Sequence, residues 1–207
     1  AGTAAQKAKY MPHITTGECI TAVGVSEPGA GSDVAGIRTT AKRDGDRWVL
    51  NGTKMFITNG VHADLYFIAA KTGDARHAMS MFIVEKGTPG FSVGRALKKT
   101  GWLSSDTAEL VLDNVRIPAE NLVGEENKGW DYAKFLLAHE RVGIAGVASS
   151  KRGVERIRSI AATELEGDKP LLANPFFRRK VAELEMDLAA LEFTVNTAHT
   201  NRQQTAA

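Results

Sequence analysis

The hydrophobic period of this chain changes once, near residue 125, and that change limits the fold more than any other feature. From Cys19 to Pro118, short β-branched and aromatic runs recur between Gly, Asn and Asp pairs, the texture of successive strands and turns. Arg47-Trp48-Val49-Leu50 meets Asn51-Gly52, a hairpin signal. Thr53 to Thr58 is then expected to return as the second strand before Asn59-Gly60 turns again. Leu65 to Ala70, Met79 to Val84, Phe91 to Val93 and Ala108 to Val115 continue the series. With no helical period between them, these strands predict an antiparallel β-barrel or sandwich. From about Lys128, Trp130, Ala133, Leu137, Ile144 and Val147 recur at helical spacing. Asp168-Lys169-Pro170 and Asn174-Pro175 interrupt that pattern. Phe177, Val181, Leu184, Leu188, Leu191 and Val195 then mark a long helix with one apolar face. Gln6 to Tyr10 reads as a helix end stopped by Pro12. The expected architecture is α+β: a helical tail over 1–17, a β-domain over 18–124 and the start of an α-helical bundle over 125–207.

Composition narrows the function classes. A net charge of +2 without a basic tract gives no reason to expect nucleic acid or an anionic membrane as partner. No apolar stretch reaches the 18 or so residues a membrane span needs. The lone Cys19 has no Cys or His neighbour and supports no zinc site; it is expected to be a buried, inert thiol, which suits a reducing cytoplasm. A start without Met and a stop at Thr205-Ala206-Ala207, inside an amphipathic pattern, read as a fragment.

The most informative segment runs from Gly24 to Gly36, Gly-Val-Ser-Glu-Pro-Gly-Ala-Gly-Ser-Asp-Val-Ala-Gly. Gly29 and Gly31 form a GxG, but Val34 stands where a dinucleotide fingerprint requires Gly or Ala. No helix opens there to receive a pyrophosphate, so a nicotinamide site is rejected. What remains is a loop with backbone donors free of bulky side chains and two hydroxyls, Ser26 and Ser32. Such a loop can approach a flat polar ligand and hydrogen-bond its edge; by itself it is equally a Gly-rich surface loop.

This segment resembles, position for position, the signature of the acyl-CoA dehydrogenase family. Phe56-Ile57-Thr58-Asn59-Gly60 is similar to the family's Trp-Ile-Thr-Asn-Gly strand, with Phe for Trp. Ser105-Asp106-Thr107, Asp113-Asn114-Val115-Arg116-Ile117-Pro118, Asn121-Leu122-Val123-Gly124 and Lys128-Gly129 follow in the family's order, and Gln6 to Tyr10 looks like the end of its N-terminal helical domain. The resemblance implies an FAD-dependent enzyme that converts an acyl-CoA thioester to the trans-2-enoyl-CoA and passes electrons to an electron-transferring flavoprotein. By motif position it implies that Val25, Ser26, Gly31 and Ser32 contact the flavin and the thioester tail, with Ser32 also touching the pantetheine arm. Phe56, Ile57 and Thr58 are implied to line the ring's other side, Thr58 near the reactive N5.

The reaction needs a base for the α-proton. The family places its glutamate either far downstream, beyond residue 207, or in the helix after the β-domain just before an Arg. Here that dipeptide is Glu140-Arg141: Glu140 is the candidate base, Arg141 orients the carboxylate or the substrate, and His139 reads as a packed neighbour. A Glu-Arg on a helix is otherwise a solvated face. The chain departs from the family where an Arg-x-x-Phe-Gly segment usually grips the flavin dinucleotide of a neighbouring subunit. Thr163-Glu164-Leu165-Glu166-Gly167-Asp168-Lys169-Pro170-Leu171 stands there instead, and its acidic groups repel a diphosphate. This stretch and Leu184 to Glu192 resemble the branch with pimeloyl-CoA dehydrogenase large subunits. That leaves a homotetramer with other flavin contacts, or an α2β2 heterotetramer in which a related subunit supplies the Arg. A flavin-dependent acyl-CoA oxidase or monooxygenase on the same scaffold, and a non-catalytic subunit, stay open beside the dehydrogenase.

Overall fold

A computed structural model describes residues 1–205; the side chains of 137–142, 199 and 201–205 fall outside that description. The chain forms two compact units, one ending at Lys134 and one beginning at Phe135. The first opens with helix α1 (Ala4–Thr16). Thr3 caps it, accepting from the Gln6 N–H while the Gln6 side chain accepts from the Thr3 N–H, a reciprocal arrangement that satisfies two orphan donors. The helix does not stop at Pro12. It runs on to Thr16 and ends at Gly17, whose φ of 81° takes the left-handed conformation. No residue of α1 is buried, so the carbonyl that Pro12 leaves without a donor faces water, which removes much of the usual penalty. The Gln6 amide also donates to the carbonyls of Glu120 (2.6 Å) and Leu122 (2.9 Å), tying the helix to the end of the sheet.

Eight strands follow: β1 (Thr21–Gly24), β2 (Thr40–Asp44), β3 (Arg47–Thr58), β4 (Leu65–Lys71), β5 (Met79–Glu85), β6 (Phe91–Ala96), β7 (Thr107–Pro118) and β8 (Leu122–Val123). They form one sheet in the order β6-β7-β3-β2-β4-β5-β8, with β1 paired to β4. The α+β architecture is as expected, but the sheet does not close into a barrel, and two pairings are parallel: β1 with β4, and β2 with β4 at Thr40 and Lys71. Parallel neighbours need a crossover between them, and the Gly24–Gly36 loop with β2 and β3 supplies it. The expectation of a purely antiparallel sheet is corrected on that point.

A second correction concerns Asn51-Gly52. The hairpin turns earlier, at Gly45-Asp46 between the paired Asp44 and Arg47, and β3 runs straight through Asn51-Gly52 along β7. The register shifts there, and Gly52 takes a φ of 149°: the Asn-Gly pair makes a β-bulge instead of a turn. Asn51 holds the bulge by accepting from the Asn114 N–H at 2.8 Å. A Cβ on Gly52 would lie 2.4 Å from Thr39 Oγ1 and 2.7 Å from Thr39 Cα. Gly52→Ala is therefore expected to cost about 2–3 kcal/mol, read as a lower denaturation midpoint with an unchanged m-value.

Trp48, Leu50, Ile57, Tyr66, Ile68 and Phe82 lead the main core, with Leu110, Leu112, Val115 and Ile117 from β7. Trp48 meets Phe82 edge-on at 5.2 Å, and the buried Tyr66 hydroxyl donates to the Gly60 carbonyl. A smaller cluster of Ala30, Ile37, Ala69, Met79 and Met81 takes Val25 and Val34 against it.

Helix α2 (Gly129–Gly143) straddles the boundary between the units. In the second unit, Gly146 in the left-handed conformation precedes helix α3 (Val147–Thr163). A short hairpin of β9 (Leu165–Glu166) and β10 (Lys169–Pro170) turns at Gly167. Helix α4 (Pro175–Thr205) follows, its first turn capped by the Asn174 side chain. Ala161 and Val181 are the buried apolar residues of this unit among those described, while Lys151–Glu192 and Arg158–Glu185 bridge α3 to α4.

Candidate functional site

The Gly24–Gly36 loop is held in place by contacts its own sequence supplies. Glu27 and Ala30 exchange two backbone hydrogen bonds around Pro28-Gly29. Ala30 and Ile37 are buried in the smaller core with Val25 and Val34 packed on it. With the apolar residues turned inward, Gly29, Gly31 and Ser32 are left exposed and Ser26 half-exposed. A Cβ at Gly29 or Gly31 would meet no protein atom within 4 Å, so both have open space in front of them.

Underneath lies an ion pair that the sequence reading did not single out. Lys54, fully buried, donates to Glu27 Oε1 at 2.8 Å and to the Val25 carbonyl at 3.1 Å. The Glu27 carboxylate also accepts from the N–H groups of Arg38 (2.6 Å) and Thr39 (3.0 Å). Burial is the largest influence on Lys54 and pushes its ammonium down to about 8 against the opposing pull of Glu27. Burial alone would raise Glu27, but the Lys54 charge and the hydrogen bonds from Lys54, Thr39 and Arg38 outweigh it and hold the carboxyl below its usual value. The 2.8 Å contact is that of an ammonium–carboxylate pair. A signal was present: Lys54 directly precedes the apolar run Met55-Phe56-Ile57, and a mid-strand lysine whose side chain turns inward needs a buried acceptor.

The sign of the pH effect follows from Glu27. Its folded pKa is depressed, so its contribution to stability is fully present above the unfolded value of 4.5 and is lost as pH falls through the lower folded value. Thermal melts are expected to drop more steeply below that unfolded value in the parent than in a Lys54→Met/Glu27→Gln double variant. Equal slopes would show that other carboxylates carry the acid limb.

Strand β3 presents the second wall. The Met55 N–H donates to the Ser26 carbonyl at 2.9 Å, bringing Ser26 next to Phe56. A second register shift between Lys54 and Ile57 marks another bulge. In it Phe56 takes a φ of 62°, a conformation costing a non-glycine residue about 1–3 kcal/mol, and its ring is 66% exposed. Phe56 borders a hollow of about 640 Å³ with Arg95, Leu97, Lys98, Lys99 and Thr107. Thr58 is exposed on the same strand. Ile57 is not available in the same way: its side chain is 2% exposed and packs in the main core, leaving only its backbone to meet a ligand. Asn59-Gly60 turns as expected. Asn59 donates to the Thr21 carbonyl and the Val61 N–H donates to the Asp106 carboxylate, which gives the Ser105-Asp106-Thr107 motif a structural role.

The structure therefore gathers Val25, Ser26, Gly31, Ser32, Phe56 and Thr58 on one unit, on a loop and strand joined by backbone and ion-pair contacts. Glu140 and Arg141, with His139, lie in 137–142, outside the residues whose side chains are described. Among the described residues no cluster of His, Cys, Asp and Glu could hold a metal ion.

Comparison with known proteins agrees with this arrangement. The middle-domain profile of the acyl-CoA dehydrogenases matches residues 22–115, and the C-terminal-domain profile matches residues 127–206. The mouse mitochondrial long-chain specific acyl-CoA dehydrogenase is 50% identical over 153 residues, 72% of this chain and 36% of that protein. A probable acyl-CoA dehydrogenase from Mycobacterium abscessus superposes with a TM-score of 0.88 at 38% identity, over 99% of this chain and 55% of that one. The butyryl-CoA dehydrogenase of Megasphaera elsdenii gives 0.86 at 35% identity, over 98% and 54%. The chain spans about half the length of the solved relatives it matches, and less of the mouse protein. With both profiles in chain order and the loop, bulge and turn motifs in place, the chain belongs to the acyl-CoA dehydrogenase family.

Proposed function

We propose that this chain forms the flavin-facing wall of an FAD-dependent acyl-CoA dehydrogenase. The observation that carries this reading is Phe56, an aromatic ring held outward in a strained backbone conformation beside an open, glycine-lined loop. Strain of this kind persists where surrounding structure enforces it, and it clusters at ligand sites. Similar solved chains include an FAD-dependent dehydrogenase and one from the structure of the Acidaminococcus fermentans electron-transferring flavoprotein, which supports FAD as cofactor and such a flavoprotein as electron acceptor.

The exposed residues fit a flat cofactor. Gly29 and Gly31 leave room for close approach, Ser26 and Ser32 offer hydroxyls, Thr58 offers a third, and Phe56 offers a ring face. Bound FAD supplies the acceptor for the hydride that leaves the β-carbon. The chain's own contribution is to orient the ring and thioester with Ser26, Ser32 and Thr58, exclude water with Phe56 and remove the α-proton with Glu140. Arg141 orients that carboxylate or the substrate. Ser32 also contacts the pantetheine arm of coenzyme A.

For assembly, the stretch after α3 carries exposed Glu164 and Asp168 where relatives present an Arg to a neighbouring subunit's diphosphate. The assembly is then either a homotetramer with other flavin contacts or an α2β2 heterotetramer in which a related subunit supplies the Arg. Native mass spectrometry showing a homotetramer with one FAD per chain would decide against the heterotetramer. No described helix is long and apolar enough to cross a membrane; we place the enzyme in a bacterial cytoplasm.

Gly31→Val tests the site directly. The open space around Gly31 predicts a stability change within about 0.5 kcal/mol. The added bulk is expected to weaken FAD binding about 5- to 100-fold, measured by fluorescence titration of the purified protein. Unchanged affinity removes Gly31 from the cofactor site.

A further inference from the structure

The peptide joining Val25 to Ser26 has its two polar ends in different settings. Its carbonyl accepts from the buried Lys54 ammonium at 3.1 Å. The bond is trans, as are all described peptide bonds, so its N–H points opposite its C=O and away from Lys54. That N–H takes no protein acceptor among the described residues. It belongs to a half-exposed residue whose own carbonyl is held by the Met55 N–H of β3.

An N–H whose carbonyl accepts a charged hydrogen bond is a stronger donor, because successive hydrogen bonds polarise one another. Glu27, 2.8 Å from Lys54, cancels the ammonium's charge at longer range. The direct route from Lys54 towards a ligand is therefore this peptide. Glu27 has its own anchors, the N–H groups of Arg38 and Thr39, so it fixes Lys54 in place and keeps it aimed at Val25.

We infer that Lys54 is a positioning residue for the bound cofactor: it orients and polarises the Val25–Ser26 peptide so that the Ser26 N–H serves as a fixed donor to an acceptor atom on the flavin edge, favouring the more electron-rich state of the ring. The inference rests on the flavin reading above. A purely structural ion pair predicts the same burial and the same loss on breaking it, but no effect on the cofactor's potential once the fold is restored.

The test uses the holoprotein and two double variants. Lys54→Met/Glu27→Gln removes both charges and the donor to Val25; Lys54→Gln/Glu27→Gln keeps a neutral donor at position 54. Thermal melts, FAD affinity and the reduction potential of bound FAD are measured on each. In the first variant, FAD binding is expected to weaken about tenfold, the scale typical of lost supporting contacts. A tenfold preferential loss for the two-electron-reduced state moves the potential about 30 mV more negative. The second variant is expected to fall between the first and the parent. Parental potential and affinity in whichever variant folds would overturn the inference while leaving the flavin site standing. A parent protein that binds no FAD would overturn the flavin reading and the inference with it.

Discussion

Lys54→Met alone is expected to destabilise the first unit by about 3–5 kcal/mol, because it strands Glu27 as an uncompensated buried charge. Methionine fits the slot well enough; what fails is electrostatic. Glu27 is 7% exposed and keeps only the Arg38 and Thr39 N–H groups as partners. It must then either remain charged in a poor environment or take up a proton, and both lower stability at neutral pH. The double variant with Glu27→Gln is expected to recover most of that loss, since replacing both members of a buried pair is often close to neutral. Guanidinium melts of the three proteins check the pattern. A single variant as stable as the parent would mean that Glu27 does not depend on Lys54.

Glu140→Gln is expected to lower kcat about 10²–10⁴-fold while leaving FAD content and thermal stability unchanged. That range is typical for losing a general base, and Gln preserves volume and hydrogen bonding while removing the proton acceptor. Proton abstraction beside a thioester depends on a placed base with a suitable pKa, so KM is expected to change far less than kcat. Anaerobic stopped-flow reduction of bound FAD by an acyl-CoA reads the chemical step directly. Reduction at the parental rate would move the base to the family's downstream position. Slow reoxidation of the reduced protein in air separates a dehydrogenase from an oxidase, whose reduced flavin reacts quickly with oxygen.

Much of the β-unit was legible from period and punctuation. The strands at Leu65, Met79 and Thr107 announce themselves as apolar runs between turn residues, and their bounds agree with the expected runs to within a few residues. What misled was local chemistry decided by distant neighbours. Asn51-Gly52 is a strong turn signal, yet it sits opposite Leu112 and Asn114, and pairing along β7 converts the turn into a bulge. Pro12 usually ends a helix, but on one with no buried residue its missing donor matters little, and Gly17 sets the end instead. The parallel pairing of β1 with β4 could not be read from either strand, because it depends on how the loop between them crosses over.

The candidate site divides along the same line. Ser26, Gly31, Ser32 and Thr58 are candidates because the motif's resemblance to the family implies them, and the structure leaves all four at least half-exposed. Phe56 was found as an aromatic, but its left-handed backbone is invisible in sequence: aromatic residues rarely adopt it, and only the bulge between Lys54 and Ile57 imposes it. Ile57 belongs to the motif, and the resemblance implies a place beside the ring, whereas strand alternation about the bulge turns its side chain into the core. The Lys54–Glu27 pair joins residues 27 apart in the chain, and no local pattern links them.

The most direct measurement is an anaerobic titration of the purified protein with acyl-CoA esters, followed through the visible flavin spectrum. Bound FAD is expected, with absorbance that bleaches stoichiometrically with at least one acyl-CoA as the enoyl-CoA product forms. A protein without bound or bindable FAD, or one whose flavin stays oxidised with every acyl-CoA offered, would contradict it.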